Sequence, residues 1–296
     1  MTETAYRGRF APSPTGPLHF GSLVAAVASY ADALAHQGSW RVRIDDLDQT
    51  RCIADMDRTI LLALEQFGFC WHGAVSYQSH NTVAYQEALQ QLQQAGLTYS
   101  CVCSRSEIKK IARIGIEGPV YPDTCRNAGH ADLPQRAVRV RTSDQPVCFT
   151  DRACGQQTQR IHQEIGDFVV RRADGYFAYQ LAVVVDDHLS DITQVVRGAD
   201  LLHSSARQIF LQQCLGYASP DYLHVPLVYG SDGKKLSKSD QAHPVDPSKP
   251  LNGLLAAWAF LDQLAPPDCD SVEAFWRWAA DNWQVKRIGK TCGTET

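Results

Sequence analysis

The chain has 296 residues, enough for a large core in one domain with an insertion or in two domains, without staples. A net charge of −4 and a pI near 6.2 argue against a protein that coats nucleic acid nonspecifically. No apolar run reaches the length of a membrane span and no signal-peptide core precedes Arg7 and Arg9, so a cytosolic protein is expected. In that compartment ten cysteines argue against a disulfide framework, and the scattered ones (Cys52, Cys70, Cys148, Cys154, Cys214, Cys269 and Cys292) read as small buried hydrophobes.

Gly8 to Ser22 reads GRFAPSPTGPLHFGS, and its prolines and glycines hold an extended loop. Ser22 to Gln37 follows as an Ala-rich helix closed by Gly38, so His19 and Gly21 fall where a helix begins. Unpaired N–H groups and a glycine there suit a nucleotide, although a histidine at that place also serves as an ordinary cap. Trp40 to Ile44 alternates as a strand and runs into Asp45, Asp46 and Asp48. Strand, helix and strand predict a parallel βαβ start, with Asp45 at the carboxyl end where ligands bind. Asp46 or Asp48 could instead cap the next helix, Ala54 to Phe67, and a further helix runs from Thr82 to Ala95.

Cys101, Cys103 and Cys125 then fall in a Gly- and Pro-rich stretch too poor in apolar residues for its own core, the composition of a zinc-held module. Tyr121 and His130 are the candidates for a fourth ligand, and ligand chemistry alone favours the histidine. Val138 to Arg141, Asp167 to Arg171 and Tyr176 to Tyr179 read as β, so residues 101–175 are expected as an inserted, mostly β unit. The sheet resumes with a helix from Gln180, a strand from Ile192 to Arg197, a helix from Leu201 to Leu215 and a strand from Tyr222 to Tyr229. The glycine turn at 230–233 leads to Lys235-Leu236-Ser237-Lys238-Ser239, a loop whose lysines suit a triphosphate. Basic residues cluster at Lys109, Lys110 and Arg113, at Arg136, Arg139 and Arg141, and at Arg171 and Arg172, which suits a partner held at a defined place, although clustered Lys and Arg are more often plain surface.

Arg9 to Gly16, Arg43 to Asp48, Phe177 to His188, Val196 to Leu201 and the Lys235 to Ser239 loop together resemble, in order, the motifs of glutamyl-tRNA synthetase catalytic domains, a branch of the class I aminoacyl-tRNA synthetases. Phe20 within His19-Phe20-Gly21-Ser22, the Cys-x-Cys and Tyr-x3-Cys pattern, and the short stretch after Asp240 resemble the glutamyl-Q tRNA(Asp) synthetase family. That resemblance implies a Rossmann-like α/β catalytic domain (1–100 and 176–245), a zinc-containing insertion (101–175) and a helical C-terminal segment (246–296). It implies ATP-dependent, tRNA-independent activation of L-glutamate with Mg²⁺ accompanying the nucleotide. The glutamate is then transferred to queuosine in the anticodon loop of tRNA(Asp), and a monomer is expected.

By the same resemblance Arg9, Phe10, Ala11, Pro12, Ser13, Asp45, Tyr179 and Arg197 bind glutamate, and His19, Gly21, Lys235, Ser237 and Lys238 serve ATP, with His19 and Lys238 catalytic. Zn²⁺ falls to Cys101, Cys103, Tyr121 and Cys125, which takes Tyr121 over His130. One position departs from the family pattern: Asp45 stands where the family has a glutamate, one methylene longer. A short synthetase charging a tRNA 3′ end and a non-catalytic tRNA-binding module are the competing readings.

Overall fold

The computed structural model describes residues 5–131, 133, 135–229 and 244–289. The chain opens with β1 (Arg7–Phe10), α1 (Phe20–Ala35), β2 (Ser39–Ile44), α2 (Met56–Gln66), β3 (Ser76–Tyr77) and α3 (Thr82–Gln94). There follow β4 (Thr98–Cys101), α4 (Arg105–Ile111), β5 (Ile114–Gly115), β6 (Gly118–Pro119), β7 (Ala137–Val140), β8 (Val147–Asp151), β9 (Gly155–Gln159), α5 (Ile161–Glu164) and β10 (Val169–Arg171). Then come α6 (Tyr179–Leu189), β11 (Gln194–Gly198), α7 (Leu202–Leu215), β12 (Asp221–Val225), α8 (Pro250–Phe260) and α9 (Val272–Asn282).

Seven strands form the main sheet in the order β3-β2-β1-β11-β12-β8-β9, and every neighbouring pair is parallel except the edge hairpin β8-β9. Two βαβ units, β1-α1-β2 and β11-α7-β12, grow outward in opposite directions from the β1/β11 pair. This is an α/β sheet wound on both faces, and residue alternation shows it. Val196 of β11 joins the core built with α1, α8 and α9, while its neighbour Val195 joins the core built with α3, α6 and α7. Glycine ends α7 as expected: Gly216 is left-handed at φ 70°, and its N–H closes the last turn on Gln212 and Gln213.

The interval 101–175 does not form one separate unit. The small antiparallel sheet β10-β7-β4 is distinct, but β8 and β9 extend the main sheet past β12. Alternation marks a strand without saying which sheet it joins, so this division was not readable from the pattern. Tyr176 to Ala178 is not a strand either. A single bridge joins Phe177 to Arg171, and α6 begins at Tyr179.

The C-terminal helices α8 and α9 pack on α1 through Leu254, Trp258, Phe275 and Trp276, all buried. Asp32 of α1, fully buried, ties the chain's distant parts together. It accepts from Tyr6 Oη at 2.6 Å, from both Arg152 Nη atoms at 2.6 and 2.8 Å, and from Trp283 Nε1 at 2.9 Å. Asp32→Ala strands the Arg152 guanidinium and should cost about 3 kcal/mol, the lower end of the range for a broken buried pair because Arg152 is partly exposed. Urea denaturation measures it, and an unchanged midpoint would contradict the role.

Candidate active site

A cavity of about 330 Å³ lies at the carboxyl ends of β1, β2, β11 and β12, where the two halves of the sheet diverge. Arg9, Phe10, Ala11, Pro12, Ser13, Asp45, Tyr179 and Arg197 all line it, together with His19 and Gly21. The expected amino-acid residues and the helix-start residues therefore share one chamber.

At one end the chamber borders a buried charge cluster. Asp187 accepts from Arg9 Nε at 3.2 Å and from Arg43 Nη1 at 2.6 Å, and Arg43 Nε donates to Asp45 Oδ1 at 2.7 Å. Asp186 lies 3.7 Å from Arg43 Nε and is held by Gln78, Asn81 and Tyr85 at 2.7–2.8 Å. Three carboxylates (Asp45, Asp186, Asp187) thus face two guanidiniums (Arg9, Arg43). Burial would raise the Asp187 carboxyl, but Arg9 and Arg43 hold it below the usual range. Asp45 goes the other way: burial and the nearby Asp186 outweigh Arg43 and push its carboxyl up. Asp45, which borders the chamber, is therefore the carboxylate of the three whose negative charge is least compensated. Arg9 is already engaged with Asp187, a pairing the sequence did not suggest.

At the other end Arg197, itself buried, donates Nε to His224 Nε2 (3.1 Å), Nη1 to Gln208 Oε1 (2.9 Å), and Nη2 to Ser205 Oγ (2.8 Å) and the Leu201 carbonyl (3.3 Å). Burial lowers the His224 pKa, with Asp151 only partly opposing it. The imidazole is therefore neutral, and every described acceptor of Arg197 is uncharged. Because His224 Nε2 accepts from Arg197, its proton is on Nδ1, which donates to Asp151 Oδ2 at 2.7 Å. Asp151 comes from β8, so the strand that departs from the expected division orients the buried arginine.

His19 caps α1, its Nδ1 accepting from Ser22 N–H at 3.2 Å, so the ordinary role and the chamber position coexist. A side chain at Gly21 would place its Cβ 3.2 Å from the His19 ring, so glycine keeps this corner open. Lys235, Ser237 and Lys238 lie outside the described residues. The described residues on either side of that segment return to this corner. Val228 lines the chamber, and Val245 N–H donates to the Leu18 carbonyl at 2.9 Å.

The Cys101, Cys103 and Cys125 sulfurs lie within 4.8 Å of one another. Cys103 Sγ is 3.5 Å from Cys125 Sγ, and Tyr121 Oη is 3.4 Å from Cys101 Sγ and 3.8 Å from Cys103 Sγ. A tetrahedral ion with bonds of about 2.3 Å to sulfur sets sulfurs about 3.7 Å apart, so four donors at these spacings fit zinc. Arg139 lies 3.7 Å over the Tyr121 ring, and His130 is not part of the cluster. The grouping of Asp123, His162 and Asp167 is an ion-pair cluster instead, with Arg126 Nη1 2.6 Å from Asp167. Among the scattered cysteines the expectation of burial fails: Cys70 and Cys148 are exposed, and Cys52, Cys214 and Cys269 are half-buried. Cys154 is disulfide-bonded, an exception to the expectation of reduced thiols.

Residues 5–250 match the family model for the catalytic domain of class I tRNA synthetases (E and Q). The fold agrees: a glutamate-tRNA synthetase from Elizabethkingia anophelis superposes with a TM-score of 0.80 at 23% identity, over 97% of this chain and 67% of that one. The protein therefore has the class I synthetase fold with a mostly parallel central sheet. Among curated relatives, the glutamyl-Q tRNA(Asp) synthetases of Aromatoleum aromaticum (47% identical, 98% of this chain, 92% of theirs) and Dechloromonas aromatica (49%, 97% and 96%) align along nearly the whole length. That of Cupriavidus metallidurans is 52% identical over 86% of this chain and 84% of its own. The chain belongs to the glutamyl-Q tRNA(Asp) synthetase family.

The Asp151–His224–Arg197 chain makes a checkable claim. His224→Ala should raise the KM for the amino acid about ten- to hundredfold, the effect of losing one hydrogen bond to a charged group, while leaving the KM for ATP nearly unchanged and His224→Gln close to wild type. Acidification should act in the same direction. The folded-state pKa of His224 lies below the ordinary value of about 6.5, so the unfolded chain takes up the proton first, and stability is lost as pH falls below that value.

Proposed function

We propose that the chamber activates L-glutamate with ATP and that the chain passes the glutamyl group to queuosine in the anticodon loop of tRNA(Asp). The observation that carries this reading is the charge layout of the chamber. A zwitterionic acid can set its ammonium against the under-compensated carboxylate of Asp45 and a carboxylate against Arg197, whose described acceptors are all neutral. Asp45 is one methylene short of the family residue, and its Arg43 contact holds it at the chamber wall.

The first step needs no protein nucleophile. The α-carboxylate oxygen of glutamate attacks the α-phosphorus of ATP in line as the bond to pyrophosphate breaks. The corner of His19 and the start of α1 stabilises the charge that passes to the leaving group, Lys238 joins it by the reading of its sequence motif, and Mg²⁺ accompanies the nucleotide. A ring hydroxyl of queuosine then attacks the glutamyl carbonyl carbon. An ester forms, the anhydride bond breaks, and AMP leaves with the electron pair and takes up the proton. Zinc held by Cys101, Cys103, Cys125 and Tyr121 would fix the knuckle, and the small sheet β10-β7-β4 with α4 and that knuckle forms the inserted module. The domain division 1–100 with 176–245, 101–175 and 246–296 is kept as a proposal, amended by β8 and β9.

The names of the relatives support this reading over 3′-end charging. Glutamate-dependent exchange of pyrophosphate into ATP without tRNA should be observed, with labelled glutamate landing on queuosine-bearing tRNA(Asp) and not on the guanosine-bearing form. Exchange with another amino acid, or none, would refute it. Lys238→Ala should cut exchange by at least about a hundredfold while glutamate binding persists. Metal analysis should find one zinc per chain, lost on Cys125→Ser, and zinc affinity should fall with acidification because protons compete for the thiolates.

A further inference from the structure

A second cavity, of about 700 Å³, adjoins the first. The two have Ser13, Thr15, Asp45 and Tyr179 in common, while His19 and Gly21 line only the smaller one. They therefore meet at the amino-acid end, away from the triphosphate corner. One wall of the larger cavity is the small module, with Cys103 and Ser104 at the knuckle, Ile108 of α4 and Arg139 of β7. The opposite wall is the β2-α2 connection with Asp48, and the turn after β10 supplies Arg172, Asp174 and Tyr176.

The smaller chamber is matched to the amino acid and the nucleotide. The group that accepts the glutamyl moiety has to reach the carbonyl carbon from a side that neither occupies. The second cavity supplies that approach, and its lining is not that of another nucleotide triphosphate site. Tyr176 is a large aromatic left 38% exposed, and the Arg172 guanidinium lies 5.7 Å from its ring centroid. Arg172 donates to both Asp174 Oδ2 at 2.5 Å and Asp48 Oδ2 at 3.4 Å, so two carboxylates from different segments converge on one arginine. Hydrogen bonds from Thr50 and Arg51 hold the Asp48 carboxyl below the usual range, so it stays anionic.

We propose that this second cavity is the acceptor pocket and holds an everted nucleoside that carries a cationic amine arm ending in a diol. The proposal rests on the function argued above, and queuosine has that chemistry: a deazaguanine base, a secondary ammonium and a cyclopentene diol. The diol points to the wall both cavities share, the ammonium lies by Asp48 and Asp174, and the base stacks on Tyr176 at the mouth, as extruded loop bases stack on aromatic side chains. Asp48, which the sequence left between a helix cap and a site residue, then discriminates the modified base from guanine, which has no such arm.

The test uses the full chain and tRNA(Asp) with and without queuosine, reading pyrophosphate exchange and glutamyl transfer in parallel. Tyr176→Ala should lower kcat/KM for transfer by about tenfold or more with exchange within twofold of the wild type, and Tyr176→Phe should restore transfer. Asp48→Asn should lower transfer to a similar degree through KM for the tRNA, again sparing exchange. If the unaltered protein shows no glutamate-dependent exchange, the function itself fails. If exchange and transfer proceed but Tyr176→Ala and Asp48→Asn both leave transfer within twofold, the acceptor pocket fails alone. An equal fall of exchange and transfer would put these residues in adenylate formation and also overturn the assignment. Should Tyr176→Ala not fold, Asp48→Asn, a near-isosteric change, decides.

Discussion

The site depends on unequal numbers of buried charges. Burying an ion away from water is tolerated when a partner of opposite sign lies close, and a buried ion without one needs a compensating ligand. Around the chamber, Asp45, Asp186 and Asp187 exceed Arg9 and Arg43 by one charge, and at the far side Arg197 has only neutral described acceptors. The two imbalances are opposite in sign and border one space. A ligand with an ammonium and a carboxylate removes both at once, whereas a neutral ligand, or one of a single sign, leaves one of them uncompensated.

The sheet is what keeps these charges from collapsing onto each other. Arg9 and Arg43 lie on β1 and β2, Arg197 on β11 and His224 on β12, all on parallel strands whose register is fixed by ladder hydrogen bonds. Asp186 and Asp187 come from α6, which packs beneath the same strands with Val183, Val184 and Val185 buried beside them. An arginine on a strand cannot slide toward a carboxylate on a helix when both backbones are locked by apolar packing. The cluster is therefore held short of neutralising itself, and Asp32 performs the complementary service on the outer face by tying α1 to the chain's distant segments.

Much of the fold was legible because its signals are local. Proline and glycine marked the loop before α1, β-branched alternation marked β2 and β11, and Gly216 ended α7 where expected. The partners of the site arginines were not legible. Asp186-Asp187 stood in plain view as two acids following the apolar run Val183 to Val185, which is a signal that they are buried and paired, but nothing local names Arg9 and Arg43 as the partners. His224 and Asp151 are further still from any motif, 73 positions apart, and they meet only because β8 pairs with β12. Pairing of that kind is a tertiary fact, and a period of two carries no information about it.

The same wiring bears on the proposed order of events, in which glutamate is activated before any RNA arrives. In this chain each group that orients Arg197 is supplied from within: His224 from β12, Gln208 and Ser205 from α7, and the Leu201 carbonyl at its start. Asp151 fixes the tautomer of His224, so among the described residues the guanidinium is aimed by buried, uncharged acceptors that all come from this chain. Preorganisation of this sort lowers the cost of ordering at the moment of binding, since no side chain has to be recruited from solvent. An arginine oriented in this way without a partner molecule suits the proposed reaction, in which the acceptor comes second, and it separates the part of the molecule proposed to make the adenylate from the part proposed to recognise the tRNA.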